Sequence, residues 1–327
     1  MTPRLAWPAS VWPMLVGAVT AVFLAQAAFS KDKLTDFDRP AAIPFPAETP
    51  YTPERAELGR KLFFDPQLSA DGATSCAACH QPDKGFEDGQ KTAAGLRGRT
   101  LERHTPTLWN VAIQTALFWD GRSHSLEDQA LRPVSNTVEM NLDLDRLVSR
   151  LSAEAEYVEA FATAFPDTPA ISPDTISRAI ATYERTLISP PSAFDAYVAG
   201  DADALSPAAK RGFELFTGRA KCSTCHSGWA FTDGGFHDIG LTDDDLGRGA
   251  LTLRKFDEHR FRTPTLRELT SRAPYMHDGS LATLKAVVDH YADHRKTRLF
   301  SLGPVKLSPE ERADIVAFLL SLDSTVP

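Results

Sequence analysis

Apolar residues in this chain recur mainly at helical spacing. Ile176, Ile180, Tyr183 and Leu187 are three and four residues apart, which predicts an amphipathic helix over Ile176–Ile188. Three more helices are predicted over Glu54–Phe64, Ala208–Phe216 and Ile315–Leu322. Each follows a hydroxyl residue and a proline: Thr52-Pro53, Ser206-Pro207 and Ser308-Pro309-Glu310, while Ser172-Pro173-Asp174 leads into Ile176. Proline suits a first helical turn, because the N–H it lacks would have had no partner there. No sustained two-residue alternation argues for a substantial sheet. The pattern predicts a mainly α-helical fold.

One apolar run breaks the helical pattern. Val11–Leu24 follows Arg4 and precedes the small-residue site Ala25-Gln26-Ala27, which reads as a secretory signal peptide over residues 1–27. An uncleaved anchor is the alternative, but the run is short for a span. No later stretch is apolar for long enough to cross a bilayer, so no membrane association is expected after cleavage. Residues 28–52, with Pro40, Pro44, Pro46 and Pro50, read as an extended lead-in.

The pattern also repeats. Thr105-Pro106-Thr107-Leu108 returns as Thr263-Pro264-Thr265-Leu266, and Asp120-Gly121 returns as Asp278-Gly279, both at an offset of 158 residues. Each half closes with one of the Ser-Pro-acid helices. An internal duplication with two helical domains follows, over 53–200 and 201–327, with Pro190-Pro191 and Gly200-Asp201 marking the join.

At 327 residues the chain is long enough for two such domains, and its net charge of −8 argues against nucleic acid as a partner. The four cysteines all fall in two runs, Cys76-Ala77-Ala78-Cys79-His80 and Cys222-Ser223-Thr224-Cys225-His226. C-x-x-C-H is the spacing of c-type haem attachment, with two thiols for the vinyl groups and a histidine for the iron. Paired zinc knuckles are the alternative. Those are usually spaced by about 15–20 residues and need no histidine directly after the second cysteine. Two covalently bound haem c groups are therefore expected, with His80 and His226 as iron ligands. Export together with covalent haem places the chain in the periplasm.

The duplication lets the two halves be overlaid residue by residue. Tyr291 falls opposite Pro133, and a phenol can ligate iron whereas proline has no donor to offer. The second haem is then six-coordinate through His226 and Tyr291, and the first has an open face. A packed tyrosine, with Met276 as the sixth ligand, is the competing reading. Around the open face, Gln129 can bond an oxygen species, Glu139 can move a proton between peroxide oxygens, and Trp119 can carry an electron between haems. Taken singly, the same residues also read as a core tryptophan and solvated helix positions.

From Thr52 onward the chain resembles the bacterial dihaem cytochrome c peroxidases, and within them the MauG-like branch. The likeness rests on both C-x-x-C-H runs, HTPTLWN at 104–110, FWDGR at 118–122, RTPTL at 262–266 and PYMHDGSLATL at 274–284. It implies two cytochrome c-like domains, Trp119 between the haems, and Gln129 and Glu139 in the peroxide pocket. It also implies His277 near the second haem's propionates and a sixth ligand at Tyr291. Ordinary members carry methionine at that place and often a distal histidine at the position of Leu96. Both departures point to the MauG-like branch, in which peroxide yields a high-valent state shared by the two haems.

The implied activity is oxidation of a residue, chiefly tryptophan, of a periplasmic partner protein. The rival is peroxide removal with electrons from a small cytochrome or copper protein, and a non-catalytic electron-transfer module stands behind both. The branch offers two precedents, maturation of a tryptophan-derived quinone and conversion of tryptophan to kynurenine. Ala220, where the branch carries a surface tryptophan, leans towards the second. The resemblance also implies a calcium ion between the haems, held by the side chain at the position of His104 and by the carbonyls of Arg272 and Pro274. Histidine is a poor match for that oxygen-seeking cation.

Overall fold

The computed structural model describes residues 34–293, 298–299 and 301–324. The predicted signal peptide lies outside the described residues. Among them no helix is long and apolar enough to cross a membrane.

The molecule is two cytochrome c-like helical halves, and each is organised around one crossed helix pair. Pro53–Phe64 packs against Pro173–Arg185 in the first half, and Pro207–Thr217 packs against Pro309–Leu320 in the second. All four helices begin as predicted, with proline in the first turn and a hydroxyl cap in front of it. The caps Thr52, Ser172, Ser206 and Ser308 accept from Arg55 N, Thr175 N, Ala209 N and Glu311 N respectively. Such a cap satisfies a donor that the helix leaves unpaired. Each crossing is closed by a glycine. A Cβ on Gly59 would sit 1.9 Å from the Ala179 carbonyl oxygen, and one on Gly212 would sit 2.0 Å from that of Asp314.

The first core gathers Leu58, Leu62, Leu147, Phe161, Ile176 and Ile180, and the second gathers Phe213, Phe216, Phe231, Ile315 and Phe318. Two segments that lie before residue 201 belong to the second core. Phe37, from the lead-in, and Phe194, from the Ala193–Val198 helix, pack edge to face at 5.7 Å within it. The chain has crossed into the second half by Ala193.

The duplication is legible in the backbone. The bridge Leu117 to Ser123 is matched one repeat later by Tyr275 to Leu281. Asn110 and Glu268 share the left-handed backbone region at φ 61° and 60°. Both then hold a later serine: Ser189 N donates to Asn110 Oδ1, and Ser324 N to Glu268 Oε1, each at 3.0 Å. This explains one difference from the predicted elements. The helix expected to reach Ile188 stops at Arg185, because the Leu187 carbonyl and the Ser189 N–H are taken by Asn110. The only sheet among the described residues is the short antiparallel pair Phe236–His237 and Phe261–Arg262.

Candidate active site

Each C-x-x-C-H run closes into one tight turn. The N–H of His80 donates to the Cys76 carbonyl and that of His226 to the Cys222 carbonyl, both at 2.9 Å. The histidine rings are then fixed from behind. Nδ1 of His80 donates to Phe86 O at 2.9 Å, and Nδ1 of His226 donates to Phe231 O at 3.0 Å. Phe86 and Phe231 both have positive φ, 58° and 54°, in the turns that present these carbonyls. A carbonyl behind Nδ1 sets the tautomer and leaves Nε2 free to ligate. Burial lowers both imidazole pKa values and so favours the neutral, ligating form.

A cavity of about 530 Å³ adjoins His80 and is lined by Cys76, Cys79, Gln129, Pro133 and Glu139. A second cavity, of about 680 Å³, adjoins His226 and is lined by Cys222, Cys225, Met276, His277 and Tyr291. Tyr291 lies on the Leu284–Asp293 helix, and its hydroxyl makes no hydrogen bond to a described residue. Pro133, its sequence counterpart, lines the first cavity from the Arg132–Ser135 turn. Beside Pro133, Asn136 Nδ2 donates to Glu139 Oε1 at 2.7 Å. Burial raises the Glu139 pKa, against the lowering influence of Arg122 and of Asn136.

His104, Trp119 and Arg262 line both cavities. Trp119 is buried, its Nε1 donates to His104 O at 2.8 Å, and its ring meets His277 at 6.4 Å. His277 is stacked on Phe261 at 3.5 Å, with Nε2 3.4 Å from Asp243 Oδ2.

The profile of the family described as di-haem cytochrome c peroxidase matches residues 53–203, and that of cytochrome c matches 209–323. The chain is 46% identical over 292 residues to "Methylamine utilization protein MauG" of Methylorubrum extorquens, covering 88% of this chain and 83% of that protein. To the protein of the same name from Methylophilus methylotrophus it is 43% identical, covering 94% and 95%. The crystal structure of "a MauG-like protein associated with microbial copper homeostasis" superposes with a TM-score of 0.80 at 31% identity, covering 88% of this chain and 95% of that one.

The chain belongs to the dihaem cytochrome c peroxidase family, in its MauG-like branch. It is a peroxidase-type oxidoreductase with two haem c groups. Its cavities suit them: both fall in the range of cofactor pockets, about 300–1,000 Å³, and each presents a fixed histidine and two thiols.

Arg262 supports the same fit, and sequence reading missed it as a site residue. It is buried, burial pushes its pKa down to about 10, and its guanidinium donates only to the Phe118 and Thr263 carbonyls. No carboxylate among the described residues pairs with it, so a haem carboxylate is the natural partner. The available signal was the overlay, which sets Arg262 opposite His104.

Two further buried groups were missed. Glu184 lines the first cavity, is pushed up to about 8 by burial, and leaves Oε2 without a partner. Glu87 receives His104 Nε2 at 2.8 Å and Arg272 Nε at 2.8 Å. His104 Nδ1 meets the Gln90 carbonyl at 2.6 Å, so both ring nitrogens are engaged by protein oxygens. Arg272, His104 and Pro274 do line one cavity, as expected for a calcium site. Of the three expected donors, the His104 side chain does not suit calcium, because an imidazole offers no oxygen and both of its nitrogens are engaged.

Proposed function

We propose that this protein uses hydrogen peroxide to oxidise a residue, chiefly tryptophan, of a periplasmic partner protein. The observation that carries the reading is the asymmetry of the two cavities: one has Tyr291 where the other has Pro133. A phenol beside the second histidine would favour an oxidised iron there, whereas Pro133 offers no donor and would leave the first cavity free for a small molecule.

When bound, the two haems supply the iron that takes up the two oxidising equivalents of peroxide. The protein's own groups manage protons and electrons. Glu139, oriented by Asn136, accepts the proton of the inner peroxide oxygen and returns it to the outer one, which departs as water. Gln129 holds the oxygen chain by hydrogen bonding. Trp119 carries an electron between the two cavities, fixed by its bond to the His104 carbonyl. His226 and Tyr291 would hold the second iron, and Arg262 would pair with the haem carboxylates. Between the haems, the Glu87, His104 and Arg272 network stands in for a calcium ion.

The names of the two curated relatives support methylamine utilisation as a setting. Ala220, buried where the branch carries a surface tryptophan, argues for another exit route to the substrate. The competing reading is peroxide removal fed by a small cytochrome or copper protein.

Low-temperature EPR of the resting protein, before and after stoichiometric peroxide without reductant, tests the reading. One high-spin and one low-spin ferric signal, both vanishing on peroxide, are expected. In Tyr291→Phe the second signal should persist. Two low-spin signals unmoved by peroxide, or rapid steady turnover with reduced cytochrome c alone, would favour the rivals.

A further inference from the structure

A surface segment of the second half has properties that folding and haem binding leave unexplained. Between Leu246 and Arg260 the chain makes a compact loop, with the short helix Gly249–Thr252 and the bridge Gly247 to Arg260. Three leucines on it face water: Leu253 is 90% exposed, Leu251 46% and Leu246 44%. Leu253 also adopts a left-handed backbone, φ 56°, at the end of the helix, a place that ordinarily favours glycine. No residue from 246 to 260 lines either haem cavity, so bound haem does not cover them.

The charge of the segment runs against that of the chain. The protein carries a net −8, yet this loop holds Arg248, Arg254, Lys255 and Arg260 against Asp257 and Glu258. Arg254 and Lys255 are exposed and lie between Leu253 and Phe256 in sequence, and the Arg260 guanidinium lies over the Phe256 ring at 3.8 Å. Of the acids just before the loop, Asp243 and Asp245 are turned to His277 and Arg103, and Asp244 is exposed. Exposed leucines beside Arg254 and Lys255 are an interface composition, and the complement of those two cations is an acidic surface.

The loop is also joined to the residue between the two cavities. Arg248 Nη1 donates to the Asp120 carbonyl at 3.2 Å, and its backbone N–H donates to Arg260 O at 2.9 Å. Two residues on, Arg262 N donates to the Trp119 carbonyl at 2.8 Å. The segment's base is therefore tied to the Trp119 carbonyl and to that of the next residue, Asp120.

We propose that the Leu246–Arg260 loop is the docking surface for the protein substrate, which presents an acidic face with an apolar centre. This rests on the reading that the substrate is a protein. The loop would bring that partner to the side of the molecule tied to Trp119, a route that does not need the tryptophan missing at Ala220.

The test uses the mature dihaem protein and two fluorescent peptides, each with one leucine-tryptophan pair, flanked by glutamates in one and by lysines in the other. Binding is titrated to the resting protein by anisotropy, which needs no peroxide chemistry. The glutamate peptide should bind about tenfold more tightly than the lysine peptide, and salt should remove the difference. Leu253→Ser with Lys255→Glu should abolish the preference while both haem spectra stay unchanged. Equal binding of the two peptides, an unaffected double variant, or a wild type that sediments as a dimer which the double variant splits would overturn the proposal. The decay of the peroxide-treated protein is then followed with each peptide. If peroxide leaves the ferric signals intact while the binding preference holds, the oxidation reading fails and the docking surface stands.

Discussion

Trp119 and His277 stand edge to face with ring centroids 6.4 Å apart, and they are one repeat of 158 residues apart in the sequence. The duplication thus sets the same position of each half beside its counterpart at the centre of the molecule, and the two copies have diverged. The first half keeps an oxidisable indole whose N–H is held by the His104 carbonyl. The second keeps an imidazole stacked on Phe261.

Trp119→Phe separates the two functions of that indole. Phenylalanine retains much of the packing but leaves the buried His104 carbonyl without its donor, a loss of about 1–3 kcal/mol that thermal unfolding can read. Peroxide should still abolish the first haem's ferric signal in the variant. The second haem's signal should remain, since no ring of low enough potential connects the cavities. Disappearance of both signals at the wild-type rate would remove Trp119 from the electron route.

Glu139 has to be ionised to take the proton from peroxide, and burial raises its pKa. The acid limb of the peroxide reaction therefore lies above the ordinary carboxylate range, and the rate rises with pH through it. Glu139→Gln should slow the reaction by about 10²–10⁴-fold and flatten that limb. Asn136→Ala removes a hydrogen bond that lowers the Glu139 pKa, so its limb should move to higher pH with a smaller loss of maximal rate. Stopped-flow rates across the pH range distinguish the two variants.

These residues differ in how legible they are before the chain is folded. The haem turns, the four helix starts and the offset are written in local residue types: C-x-x-C-H, hydroxyl-proline, Thr-Pro-Thr-Leu. Tyr291 and Pro133 became visible because the repeat let one half comment on the other. Glu184 and Glu87 were not visible, because one glutamate looks like another until the chain that buries it is known. The same holds for Phe37 and Phe194, whose place in the second core depends on contacts made far along the chain. The end of the helix at Arg185 is set by Asn110, a residue that no helical period can sense.

Glu184 should leave a mark on stability. Burial raises its pKa from 4.5 to about 8, so between these values the native protein holds a proton that the unfolded chain has released. Its contribution is fully present below about pH 4.5 and is lost as the pH rises through about 8. Glu184→Gln keeps the neutral shape without the proton. Melting temperatures measured over that window should fall for the wild type relative to the variant, and parallel curves would show that Glu184 titrates normally.

The space between the haems offers the last test. A calcium ion there would have to bind beside an imidazole that offers it no oxygen and has both nitrogens engaged, with the Arg272 guanidinium held close by on Glu87. The positive charge is already present in covalent form, because both His104 partners are acceptors, and Glu87 raises the His104 pKa although burial opposes it. Purified protein should therefore contain no stoichiometric calcium by elemental analysis, and prolonged chelation should leave both ferric EPR signals unchanged. His104→Asn replaces the imidazole with an oxygen donor and frees one Glu87 oxygen. That variant should acquire a chelator-sensitive spectrum when calcium is supplied, whereas one tightly held calcium ion in the wild type would show that the ion pair rearranges around a metal.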